Sequence, residues 1–112
     1  MSMSNRRNRS NNLRSETNAI RAVIVREAPK EKIFDSHFVI SRFVKNNELL
    51  YENFKVSLGP NQTAGTCNGL LAIIIQRQTD LVEMAPNTRP YEFWSVNVKE
   101  KPSACTGWIR KI

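Results

Sequence analysis

The chain has 112 residues, 40% of them apolar and 24% charged, enough for one hydrophobic core and too few for two. It contains no run of about 18 apolar residues, which excludes a transmembrane helix from the reading. Seventeen Lys and Arg against ten Asp and Glu leave a net charge of +7, and four of those excess charges, Arg6, Arg7, Arg9 and Arg14, precede the first acid, Glu16.

Residues 1–19 hold Leu13 as the only large apolar side chain after the two methionines, so they are expected to be a disordered basic arm. Arginine forks match phosphate geometry, and the interleaved Asn and Ser add neutral donors. No apolar segment follows these arginines, so export by a signal peptide is not expected. Cys67 and Cys105 are then expected to be free thiols in a reducing compartment. The glycosylation patterns at Asn8 and Asn61 read as accidental.

Residues 20–112 are expected to form one β-domain. Ile20 to Arg26 is rich in β-branched residues and ends at Pro29, which predicts a strand. Phe34 to Val44 has a mixed pattern that predicts a bent or bulged strand. In Tyr51 to Leu58, Phe54, Val56 and Leu58 alternate with Asn53, Lys55 and Ser57, which predicts an amphipathic strand. The loop from Gly59 to Thr66 fails as a phosphate-cradling loop, because its glycines are one position too far apart and no Lys precedes Thr66. Leu70 to Ile75 is the longest apolar run, and its β-branched residues predict a central strand buried on both faces. Phe93 to Lys99 alternates again, with Trp94, Val96 and Val98 assigned to the core. The closing segment Cys105 to Ile112 is strand-like and is expected either to dock in the sheet or to be a truncated edge. About six strands predict an all-β fold, an antiparallel sandwich or open barrel.

Few residues suggest chemistry. His37 is the only histidine, and with two cysteines and no Cys-x-x-Cys no metal centre or cofactor is predicted. A Cys67–His37 nucleophile pair lacks a third partner, and the carboxylates read as solvated faces, so no enzyme is expected. Tyr51 and Phe93 fall on the predicted wet faces, as does Phe43, which makes the first two candidates for stacking on unpaired bases.

An Arg- and Asn-rich arm followed by a compact antiparallel β-domain resembles, in overall architecture and without a specific motif, the small coat proteins of positive-strand RNA viruses. That resemblance implies a reduced jelly roll, self-association into a shell, and RNA bound without sequence specificity through Arg6, Arg7, Arg9, Arg14 and Arg21. It also implies a location in a virion or in host cytoplasm or nucleus, and no membrane partner. The rival expectations are an OB-type single-strand-binding domain, whose sheet face would bind nucleic acid, and a small viral protein-interaction module.

Overall fold

The structure is a computed structural model that describes residues 2–59 and 64–111, with the backbone alone for 2–12 and 64–66. In chain order it forms α1 (Ser2–Glu27), β1 (Phe34–Asp35), α2 (Ser36–Asn46), α3 (Glu48–Ser57), α4 (Ala64–Gln76), β2 (Val82–Met84), β3 (Phe93–Val96), β4 (Pro102–Cys105) and β5 (Gly107–Arg110). The fold is mixed α/β. The expected all-β sandwich or barrel is therefore wrong, and with it the coat-like resemblance and the OB-type rival. Among the described residues the strands form two small open sheets, one ordered β1-β5-β2 and one made of β3 and β4.

Four of the expected strands are helices, Phe34 to Val44 from Ser36 onward, for one reason: their buried residues recur at helical spacing, in α2 as Ser36, Val39, Ile40 and Phe43. In α1 the buried Ile20, Val23 and Ile24 share a stripe with Leu13 and Glu16. In α3 the stripe is Tyr51 and Phe54, with Leu58 one turn beyond, while Val56 is exposed. In α4 it is Cys67, Leu71, Ile74 and Ile75. Each stripe covers one side of a shared core, and that packing outweighs the weak strand preference of β-branched residues. Among the described residues, no helix is long and apolar enough to cross a membrane.

Residues 13–19, expected to belong to a disordered arm, are part of a helix that packs on the core. Helix α1 runs without interruption through Ala19 and Ile20, where arm and domain were expected to part. Leu13 and Ala19 pack against the core, and Glu16 is only 3% exposed. The side chains of Arg6, Arg7 and Arg9 lie outside the described residues.

Burial raises the pKa of Glu16 above the ordinary carboxylate value, and its Oε2 has no hydrogen-bond partner among the described residues. Between the ordinary and the raised value the folded state keeps a proton that the unfolded chain releases, so stability falls as pH rises through that window. Glu16→Gln should therefore be more stable than the parent at neutral pH, by about 1 kcal/mol. The advantage should vanish towards about pH 4, where the acid is protonated in both states. Thermal melts of both proteins across this range check the sign and the window.

Asp35 ends β1 and caps α2: its backbone is extended, and its Oδ1 accepts the Phe38 N–H at 2.9 Å. β5 is the middle strand, with Trp108 opposite Phe34 on one side and Met84 on the other. The hairpin β3–β4 packs on this sheet where Phe93 meets Gly107. A Cβ at Gly107 would fall 2.5–2.6 Å from Phe93 ring carbons, so only glycine permits this approach. β3 is a strand as predicted, but with its faces exchanged. Trp94 is 72% exposed and Val96 is exposed, whereas Phe93 and Ser95 turn inward. The polar Ser95 faces in because its partner, His37, lies there.

Candidate ligand cleft

The first turn of α2 is fastened to the corner between β4 and β5. The Ser36 N–H donates to the Thr106 carbonyl at 3.0 Å, and the indole Nε1–H of Trp108 donates to Ser36 Oγ at 2.9 Å. This attachment sets the next residue, His37, against the hairpin. Its Nδ1 lies 2.7 Å from Ser95 Oγ and its Nε2 lies 3.1 Å from Ser103 Oγ. Ser95 and Ser103 are directly paired across β3 and β4, so one cross-strand pair holds both ring nitrogens. A neutral imidazole has one donor and one acceptor nitrogen, and a hydroxyl can serve either, so both nitrogens are satisfied in either tautomer.

Cys105, at the end of β4, places its Sγ 3.8 Å from Ser95 Oγ. Burial pushes its thiol pKa up, which keeps the sulfur protonated at neutral pH. An activated cysteine nucleophile shows the opposite shift. Asp35, His37 and Cys105 bring one carboxylate oxygen, one ring nitrogen and one sulfur to within 4.8 Å of one another.

Above this cluster lies a cleft of about 210 Å³ between the start of α2, the outer face of α4 and the hairpin. His37, Ser103 and Cys105 contribute its polar floor. Asn68, Ile73 and Gln76 line it from α4, and Tyr91 and Val98 from the hairpin side. The Tyr51 hydroxyl donates to Asn68 Oδ1 at 3.0 Å and so orients that amide on the wall. Convergent hydroxyl, imidazole and amide groups beside apolar walls are what a small polar ligand needs.

Among the described residues, none of the predicted binding residues Arg14, Arg21, Tyr51 and Phe93 lines the cleft. Arg14 is exposed on α1. Arg21 donates to both Asp80 oxygens, at 2.9 and 2.7 Å, and to Gln78 Oε1 at 2.8 Å, tying α1 to the segment after α4. Tyr51 is buried beneath the Lys55 ammonium, 4.8 Å from the ring centroid, and Phe93 is half-buried against Gly107. Phe43, the third aromatic assigned to a wet face, is wholly buried. Cys67, weighed in the sequence as a partner for His37 and set aside, is buried in the α4 core stripe, and Cys105 is the thiol beside the imidazole. One signal in the sequence could have found part of this site. Asp35-Ser36 before the apolar positions of α2 is a helix-start pattern, and it places His37 in a first turn.

Compared with protein-family models, curated proteins and solved structures, the chain matches none.

Proposed function

We propose that the domain is a ligand-binding module whose cleft takes a small polar molecule, with His37 as the anchoring group. The observation that supports this is the imidazole clamped between the Ser95 and Ser103 hydroxyls at the floor of a cleft. A polar cluster of this kind adds little to the stability of a small domain, because desolvating its groups offsets most of the hydrogen-bond gain. Its organisation in a cleft is instead what recognition requires, with donors and acceptors fixed in place before the ligand arrives.

A second reading, a polyanionic partner, is supported by the net charge of +7. The segment from Arg89 through the β3–β4 hairpin carries the exposed cations Arg89, Lys99 and Lys101. Against it, the exposed α4 residues Gly69 and Ile73 carry no charge and form a wall of the cleft.

Amide-resolved NMR titration separates the two readings. A library of small polar compounds should shift the amides of His37, Ser103 and Gln76, and His37→Gln should abolish the response while leaving the fold intact. A DNA or RNA duplex should instead shift Lys99 and Lys101 in a salt-dependent way. Shifts confined to neither region would overturn both readings. Light scattering on the same samples reads the self-association expected from the sequence.

A further inference from the structure

We propose that Asp35, His37 and Cys105 form a three-ligand site for a divalent transition metal of the zinc class. The proposal deepens the cleft reading, on which its fourth, exchangeable position rests.

The donor set carries the argument. One carboxylate oxygen, one imidazole nitrogen and one sulfur lie within 4.8 Å of one another, contributed by the cap of α2, its first turn and the end of β4. Zinc–ligand bonds of 2.0–2.3 Å put tetrahedral ligand atoms roughly 3.3–3.8 Å apart, so closing this triad requires movements of about 1 Å, within reach of side-chain rotation. A sulfur and an imidazole select against magnesium and calcium, which take oxygen ligands, and suit zinc or cobalt(II). Three protein ligands leave one tetrahedral position open. Because His37 and Cys105 also line the cleft, that position faces the space where a ligand or water would enter.

The surroundings fit a metal in two further respects. Ser103 Oγ, 3.1 Å from His37 Nε2, can accept the Nε2–H, which leaves the Nδ1 lone pair pointing to the Ser95 and Cys105 side. The Ser95 hydroxyl, 2.7 Å from Nδ1, must then rotate aside to make room for the ion. A cation at the start of α2 is opposed by the positive end of the helix dipole. The Asp35 carboxylate and a Cys105 thiolate bring two negative charges that neutralise a divalent ion. On binding, the thiol proton leaves to solvent as the sulfur–metal bond forms.

The test uses the full chain, stripped with chelator and titrated with cobalt(II) alone. One equivalent should produce the ligand-field bands of a tetrahedral ion and a thiolate-to-cobalt charge-transfer band, both removed by excess zinc. Cys105→Ser should lose the charge-transfer band, Cys67→Ser should keep it, and Ser103→Ala should weaken binding by about 10–100-fold as an orienting partner does. Circular dichroism establishes that each variant folds. X-ray absorption of the wild-type protein with zinc needs no variant, and should show one sulfur at about 2.3 Å among nitrogen and oxygen neighbours. Absence of the charge-transfer band at one equivalent, its survival in Cys105→Ser, or a zinc shell without sulfur would each overturn the proposal. Small polar compounds binding the metal-free protein would leave the cleft reading standing even then, so the two failures are distinguishable.

Discussion

Ile74→Asp should unfold the domain, and the same substitution at Ile73 should leave it folded. Ile74 belongs to the inward stripe of α4 and is 6% exposed, with Leu71 and Ile75 in the same buried cluster. An unpaired carboxylate there loses its hydration without gaining a partner, and the isoleucine packing is lost as well. The combined cost, about 4 kcal/mol or more, approaches the whole stability of a domain of this size, roughly 5–15 kcal/mol. Ile73 is one residue further back, turned by 100° on the helix and 40% exposed on the cleft wall. Its replacement by Asp should change stability by less than about 1 kcal/mol. Urea unfolding followed by circular dichroism reads both. Were both variants unfolded, Leu70–Ile75 would be buried on two sides, as a central strand would be, and the helix assignment of α4 would fail.

Trp108→Ala should be the most costly large-to-small change in the sheet, by about 3–5 kcal/mol. The indole is buried in the middle strand β5, between Phe34 of β1 and Met84 of β2. Its Nε1–H is also the link to Ser36 Oγ that fastens the start of α2 to the β4–β5 corner. Removing it creates a cavity and frees the turn that carries His37. Trp108→Phe keeps most of the volume and deletes the hydrogen bond, so it should cost less, about 1–3 kcal/mol, and loosen the cleft selectively. Trp94, the only other tryptophan, is exposed, so Trp94→Phe leaves Trp108 as a single buried fluorophore. In that background the emission of Trp108 should shift to the red on unfolding in one cooperative step. Emission already characteristic of water in the folded protein would contradict the buried placement.

The choice between helix and strand was poorly legible because short β-branched runs satisfy both periods. Leu70 to Ile75 presents apolar residues to any face, so neither alternation nor helical spacing is excluded by the run itself. In Tyr51 to Leu58 the alternation Phe54, Val56, Leu58 is real in the sequence, yet Val56 is exposed and the stripe through Tyr51 and Phe54 is what packs. The helical packing of residues 13–19 is hidden in the sequence for a related reason. Residues 13–19 hold little apolar surface of their own, but Leu13 and Ala19 extend a stripe that Ile20 and Ile24 have already anchored. Segments with firm punctuation are more legible: β3 lies where the sequence predicts a strand, after the breakers at Pro86 and Pro90, and β5 lies within the predicted closing segment.

The sequence by itself determined that there is a core and that the chain is strongly basic; of the residues it assigns to that core, Phe54, Ile74 and Ile75 are buried, while Val56, Ile73 and Trp94 are exposed. The existence of a core and the net charge follow from composition and require no knowledge of neighbours. Only the tertiary structure decided which face of β3 turns inward and what the lone histidine does. Ser95 and Ser103 lie 58 and 66 residues from His37 along the chain, and Cys105 was no better marked as its neighbour than Cys67. Such a cluster exists only after α2 has docked on the sheet and the hairpin has paired in register, because no local period in the sequence records contacts between distant segments.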